Sequence, residues 1–115
     1  MKCTTFETEV FVKMMEGRFP AGNVKQIISE AVVSNCEFSR AGYLLELKHE
    51  NINLENELIH STVTVGKCGE LILDVNLFTE DNTITLDCYS RDLTDVPKNI
   101  RELPIELTTE APVRY

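Results

Sequence analysis

The sequence lacks the features that define several functional classes. It contains no Trp, and no apolar run approaches the roughly 18 residues that a membrane-spanning helix needs. Acidic residues occupy the N-terminal stretch MKCTTFETEVF, where a secretion signal would carry its apolar segment. Neither a phosphate-binding glycine loop nor a G-x-S-x-G nucleophile motif is present. We therefore expect a cytoplasmic protein without membrane contact, and the motifs give no positive indication of an enzyme.

Cysteine occurs only four times, at Cys3, Cys36, Cys68 and Cys88. No two of these residues form a Cys-x-x-Cys pair, and their spacing matches no zinc-binding pattern. In a cytoplasmic protein we expect four reduced thiols, of which the buried ones serve as small apolar side chains. No cofactor is expected.

Basic residues are scarce, since 11 Lys and Arg stand against 19 Asp and Glu, which gives a net charge of −8. Residues 1–40 carry five charges of each sign, so the whole imbalance lies in residues 41–115. Binding to nucleic-acid phosphates needs clustered basic residues, so direct nucleic-acid binding is not expected. The charge fits ordinary solubility, a basic protein partner or mimicry of a polyanion.

The clearest pattern lies in residues 43–90, where apolar and polar residues alternate along four consecutive runs. This period of two is typical of half-buried antiparallel strands. The apolar positions predict one buried face, made of Tyr43, Leu45, Leu47, Ile59, Val63, Val65, Leu71, Leu73, Val75, Leu77, Ile84, Leu86 and Cys88. The runs are expected to form an antiparallel meander.

The N-terminal part contains one ambiguous segment and one predicted helix. Residues 4–14 fit a strand or a helix, and their content of Thr, Val and Phe favours the strand. Residues 24–33 predict an amphipathic helix with Asn23 as N-cap and Gln26 completing a capping box. The apolar stripe of this helix is Ile27, Ile28, Ala31 and Val32.

The C-terminal part predicts a short helix followed by an edge strand or an extended tail. Asp95 is placed to cap a helix that runs from residue 96 or 97 to about residue 103. Ile105, Leu107 and Val113 then fit an edge strand, where Pro112 is tolerated.

Together these elements predict a single α+β domain spanning residues 1–115. One main helix packs on a mostly antiparallel, four- to six-stranded sheet in the order β-α-β-β-β-β. This layout resembles the cystatin-like arrangement of a helix on a sheet. The cystatin inhibitory motif is not visible in the sequence, and a layout does not carry a function.

The hairpin loops at residues 66–69 and 79–82 predict which side chains share the polar face of the sheet. They place Val63 opposite Leu73, and Leu73 opposite Cys88. The polar face then carries two rows, Glu46–His60–Asn76–Thr85 and Leu44–Thr62–Asp74–Asp87. Asp74 and Asp87 would lie directly across from each other. Such a face fits a solvated surface, a surface that binds a partner, or a metal or catalytic site.

The same face carries apolar residues that a solvated sheet does not need. The predicted register pairs Leu58 with Phe78 and Ile72 with Tyr89. We expect this face to be covered by the C-terminal segment or by another molecule. The candidate binding residues are Glu46, His60, Asp74, Asn76, Asp87, Phe78 and Tyr89.

The sequence therefore favours a non-catalytic protein-binding module that resembles chaperones, immunity proteins or polyanion mimics in its size and charge. A basic protein is the expected partner, and a homodimer is expected to form through a sheet edge or through this face. The alternative is a small enzyme or metal-binding domain that uses His60, Asp74 and Asp87.

Overall fold

Two helices pack against one face of a six-stranded antiparallel sheet, which confirms the α+β class. The computed structural model describes residues 1–18, 23–52 and 54–109. The elements in chain order are α1 (Thr5–Met14), α2 (Val24–Glu30), β1 (Val32–Phe38), β2 (Gly42–Lys48), β3 (Leu54–Cys68), β4 (Leu71–Asp81), β5 (Thr83–Ser90), a 3-10 turn (Ile100–Glu102) and β6 (Glu106–Thr109). The strands lie in the order β1-β2-β5-β4-β3-β6.

Helix α1 replaces the strand predicted for residues 4–14, so that prediction was wrong. The helix begins with a capping box: the Thr4 hydroxyl accepts from the Glu7 N–H at 3.2 Å, and the Glu7 carboxylate accepts from the Thr4 N–H at 2.8 Å. Phe6, Val10 and Met14, which a helix places on one face, are all buried. Local capping and burial of this face outweigh the strand propensity of the segment.

Helix α2 confirms the predicted helix from residue 24 but ends at Glu30, three residues earlier than predicted. Ile27 and Ile28 are buried as expected, whereas Val32 begins strand β1 and is exposed. The Asn23 side chain makes no capping hydrogen bond, and Gln26 donates to Glu30 instead of completing a capping box.

Strand β1 was not predicted. It pairs with β2 and points Val33 and Cys36 towards the helices. A bulge between Val33 and Asn35 interrupts its alternation. Because the bulge breaks the period of two, the strand leaves no regular signal in the sequence.

The buried face of the sheet follows the predicted alternation. Leu45, Leu73, Val75 and Leu86 are fully buried in the core that also contains the apolar side of α1. The strand order differs from the predicted meander, because β2 pairs with β5 rather than with β3. The segment β3-β4-β5 is a meander, and β2 is added to its β5 side.

Both hairpins have tighter turns than predicted, and this shifts their registers. Between β4 and β5 the turn is Asp81–Asn82, since Glu80 pairs with Thr83, and Asp81 adopts a φ of 49°. Leu73 consequently lies opposite Ser90 instead of Cys88, a shift of two residues. A shift by two keeps every side chain on its predicted face, which is why the burial prediction survives the wrong register.

The β3–β4 hairpin turns at residues 69–70, where Gly69 has a φ of +62°. Gly66 is therefore part of the strand and not of the turn. A Cβ at Gly66 would lie 2.7 Å from the Phe6 ring, so the absence of a side chain lets α1 approach the sheet.

Two irregularities in β3, between Leu54 and Glu57 and between His60 and Val65, change the register along this hairpin. From Glu57 to His60 the predicted register holds, with Ile59 opposite Leu77. Beyond it Val65 pairs with Asp74 instead of Leu71, although Val65 remains fully buried. The predictions that Val63 points inwards and that Thr62 pairs across the sheet concern side chains outside the described part of the structure.

The C-terminal part contains the predicted edge strand but not the predicted helix. Only the 3-10 turn forms, and Asp95 binds Arg40 at 2.8 Å rather than capping a helix. Strand β6 pairs with β3 and includes Leu107, while Ile105 packs against the core just before it. Pro112 and Val113 lie outside the described residues. Within the described part of the chain, neither helix has the length and apolar character needed to cross a membrane.

Candidate functional site

The candidate site is the face of the sheet that points away from the two helices. We call it the outer face and define it by Leu44, Glu46, Leu58, His60, Asp74, Asn76, Phe78, Asp87 and Tyr89. These residues alternate along the strands with side chains buried beneath the helices. Leu44, Leu58 and Phe78 are 39%, 58% and 43% exposed. The sheet therefore presents large apolar side chains to its surroundings.

The observed register arranges this face in two rows that run across the strands. One row is Leu58–Phe78–Thr85–Glu46, and the other is His60–Asn76–Asp87–Leu44. The predicted pairs Leu58–Phe78 and His60–Asn76 are confirmed. Glu46 was predicted beside His60, but it lies opposite Thr85 because β2 pairs with β5.

The predicted contact between Asp74 and Asp87 was wrong. The shift in the β4–β5 register places Asp74 opposite Tyr89 and Asp87 opposite Asn76. Tyr89 was likewise predicted opposite Ile72, but it lies opposite Asp74. The two aspartates are therefore diagonal neighbours, and each has its own surroundings.

Asp74 is held by Arg91 in a partly buried ion pair. Arg91 Nη2 donates to Asp74 Oδ1 at 2.9 Å, and Arg91 Nε lies 3.3 Å from both carboxylate oxygens. The guanidinium group therefore binds the same carboxylate that the sequence suggested as a metal ligand or catalytic acid. In the described part of the chain, no three His, Cys, Asp or Glu side chains are grouped so that they could hold a metal ion.

A chain of hydrogen bonds links His60, Asn76 and Tyr89. The imidazole Nδ1 of His60 bonds to Asn76 Oδ1, and Asn76 Nδ2 donates to the Tyr89 hydroxyl at 3.3 Å. Because an amide oxygen only accepts, Nδ1 of His60 carries a proton. Asp87 lies beside this chain and is partly buried, and burial raises the pKa of its carboxyl.

A shallow groove of about 350 Å³ follows the row that ends in Glu46. Its walls and floor include Glu46, Leu58, Phe78, Glu80, Thr83 and Thr85. Glu46 Oε1 accepts from the Ser34 hydroxyl at 2.6 Å, so a neighbouring strand fixes this carboxylate in place. The groove combines an apolar floor with acidic ends.

The sequence reasoning missed a buried polar cluster on the helix side of the sheet. Glu7 is fully buried, and its carboxylate accepts from Arg101 Nε at 2.7 Å, from Arg101 Nη2 at 2.8 Å and from the Tyr43 hydroxyl at 2.7 Å. Arg101 also donates to the Lys2 carbonyl at 2.9 Å. The pattern Thr4-x-x-Glu7 ahead of an apolar run was the available signal for both the cap and the helix.

The ionisation of this cluster is set by its surroundings. Burial by itself raises the pKa of Glu7, but hydrogen bonds from Arg101, Thr4 and Tyr43 outweigh burial and lower the pKa below its ordinary value. Burial raises the pKa of the nearby thiols of Cys88 and Cys3, to about 12 and about 11. Both thiols are therefore protonated at neutral pH. The Glu7–Arg101 ion pair connects α1 to the C-terminal segment.

Comparison of the chain with protein families, curated proteins and solved structures gave no match. The chemistry of the outer face therefore carries the functional inference.

The outer face combines apolar contact area with charged and hydrogen-bonding groups. The chain from His60 to Tyr89 contains no carboxylate, and Asp74 is neutralised by Arg91. Leu58 on β3 and Phe78 on β4 offer apolar contact area, while Glu46 on β2 and Asp87 on β5 offer negative charge on the neighbouring strands. This combination of an apolar centre with charged neighbours is typical of surfaces that bind proteins.

Proposed function

We propose that the protein is a non-catalytic, cytoplasmic binding module that recognises a basic protein through its outer face. The observation that carries this proposal is the adjacent pair Leu58 and Phe78. These side chains are register partners on neighbouring strands, and both are strongly exposed between acidic residues. Burying them against a partner would remove apolar surface from water at about 25 cal/mol per Å².

The charge of the protein supports a basic partner. The net charge of −8 favours encounter with positively charged proteins and disfavours association with acidic ones. Glu46 and Glu80 flank the apolar pair, so attraction and apolar contact are available at the same place. We expect the affinity to fall as salt is added, since salt screens exposed charges.

The edges of the sheet are less suited to binding than its outer face. Strand β1 is bulged next to Ser34 and carries Glu37, and both features hinder pairing with another strand. Within the described residues, strand β6 pairs over the four residues Glu106–Thr109. A partner that adds a strand to an edge would meet these obstacles, whereas a partner that covers the face would not.

A capture experiment in the source cell tests the proposal. Phe78→Asp places a charge in the centre of the outer face, and Phe38→Asp serves as the control, because Phe38 is 50% exposed but lies on the helix side of β1. We expect a basic protein to be captured by the wild-type protein and by Phe38→Asp, and to be lost with Phe78→Asp. Capture that is equal for both variants would contradict the proposal.

The exposed apolar residues of the outer face also predict a homodimer that forms through this face. Two copies would bring like charges together, so salt should strengthen self-association while it weakens the binding of a basic partner. The opposite salt dependence therefore distinguishes the two uses of the face.

A further inference from the structure

We propose that the groove on the outer face binds one arginine side chain of the partner, an inference that rests on the proposed function. The aliphatic part of the arginine lies on Leu58 and Phe78, and its guanidinium group lies at Thr85 and Glu46. The observation behind this assignment is the row Leu58–Phe78–Thr85–Glu46, which has an apolar end and an acidic end.

The length of the row fits a long side chain. Neighbouring strands are separated by about 4.8 Å, so Phe78 on β4 and Glu46 on β2 are roughly 10 Å apart across β5. Lys and Arg commonly place their methylene groups along apolar surface and keep the charged end at polar groups. A short cationic side chain on the partner could not contact Phe78 and Glu46 together.

The chemistry of the acidic end favours a guanidinium group, because its several N–H donors can reach both the Glu46 carboxylate and the Thr85 hydroxyl on the neighbouring strand. Phe78 is 43% exposed and offers apolar surface to the methylene groups of the same side chain. The Ser34 hydroxyl fixes one oxygen of Glu46, which leaves the other oxygen to accept from the ligand.

The groove on the outer face is small. The volume of about 350 Å³ is at the small end of the 300–1,000 Å³ range of ligand sites. The groove is therefore sized for a single side chain rather than for a folded segment.

Titration of the isotope-labelled protein with n-butylguanidinium tests the inference by amide NMR shifts. We expect saturable shifts at Phe78, Thr85 and Glu46, and no saturable shifts with n-butanol, which has the same alkyl chain without the charge. Glu46→Gln keeps the bond to Ser34 but removes the charge, so it should weaken binding by about fivefold. Glu37→Gln, an outer-face substitution on β1 away from the groove, should leave the affinity unchanged.

Three results would overturn the inference: equal binding of n-butanol, equal binding of n-butylammonium, or equal weakening by Glu37→Gln and Glu46→Gln. Its failure can be distinguished from failure of the proposed function. A partner that is lost with Phe78→Asp while n-butylguanidinium does not bind would retain the function and reject the arginine site. Binding of n-butylguanidinium without any partner that depends on Phe78 would retain the groove and reject the proposed function.

Discussion

Replacing Arg101 by Met tests the buried ion pair that connects α1 to the C-terminal segment. Glu7 is fully buried and the Arg101 side chain is only 11% exposed, so solvent screens this pair weakly. The substitution leaves the Glu7 carboxylate buried without its two bonds from Arg101. Removing one partner of a buried pair typically costs about 3 to 5 kcal/mol of unfolding free energy. For a chain of this length, that corresponds to a fall in Tm of about 10 to 20 °C.

The assay is chemical and thermal unfolding followed by circular dichroism, with Arg40→Met as the matched control. Arg40 also forms an ion pair, with Asp95, but the two side chains are 83% and 72% exposed, so we expect a change within about 0.5 kcal/mol. A loss for Arg101→Met as small as that for Arg40→Met would refute the structural role of the pair. Glu7→Gln combined with Arg101→Met should be less destabilising than Arg101→Met alone, because the double variant buries no charge.

The pH dependence of stability provides a second readout for the same pair. The pKa of Glu7 is lowered in the folded protein, so the stabilisation by its charge is fully present above the unfolded pKa of about 4.3. This stabilisation is lost as pH falls through the folded pKa. In Arg101→Met the dominant effect is burial, which raises the pKa of Glu7. The variant should therefore gain stability relative to the wild-type protein as the pH is lowered.

Three further predictions follow from the fold and the outer face. Thr4→Ala should lower the free energy of unfolding by about 1 kcal/mol, because the variant loses the cap of α1. Asn23→Ala should have little effect, because the Asn23 side chain makes no capping hydrogen bond to α2. Denaturant unfolding of the two variants compares these losses. Leu73→Ala should cost about 2 to 4 kcal/mol in the same assay, because Leu73 is fully buried in the core, and a smaller loss than that of Thr4→Ala would contradict its place there. Sedimentation equilibrium should show self-association that increases with salt and is abolished by Phe78→Asp, and a monomer at every concentration would rule out the dimer.

Alternation along the strands allowed the buried face to be predicted without the correct register. Leu73, Val75 and Leu86 are buried because a shift of two residues, as occurs between β4 and β5, does not move a side chain to the other face. The pairing of β2 with β5 could not be predicted from this alternation. It joins segments about 40 residues apart, and no local pattern specifies which edge of the meander a strand will join.

Helix α1 shows how one spacing can fit two structures. Phe6, Val10 and Met14 are four residues apart, which is both one helical turn and two strand repeats. The capping pattern from Thr4 to Glu7 distinguishes the two, and it also identifies the glutamate that Arg101 binds. Arg101 itself was unpredictable, because its partner lies 94 residues away in the sequence.

For the candidate site, the sequence predicted which residues share the outer face but not all of their contacts. The pairs Leu58–Phe78 and His60–Asn76 depend only on the regular part of β3, and both were predicted correctly. The binding of Asp74 by Arg91 was missed because Arg91 lies beyond the end of β5, where alternation gives no information.

The most direct test of the proposed function is the Kd of the captured partner for the wild-type protein, Phe78→Asp and Phe38→Asp, measured by titration calorimetry at low and high salt. Removing a central aromatic contact from an interface commonly weakens binding by at least about tenfold. We predict such a loss for Phe78→Asp, a Kd for Phe38→Asp equal to that of the wild-type protein, and weaker binding at high salt for every form that binds. A Kd that is unchanged by Phe78→Asp but raised by Phe38→Asp would contradict the proposal and place the binding surface on the helix side of the sheet.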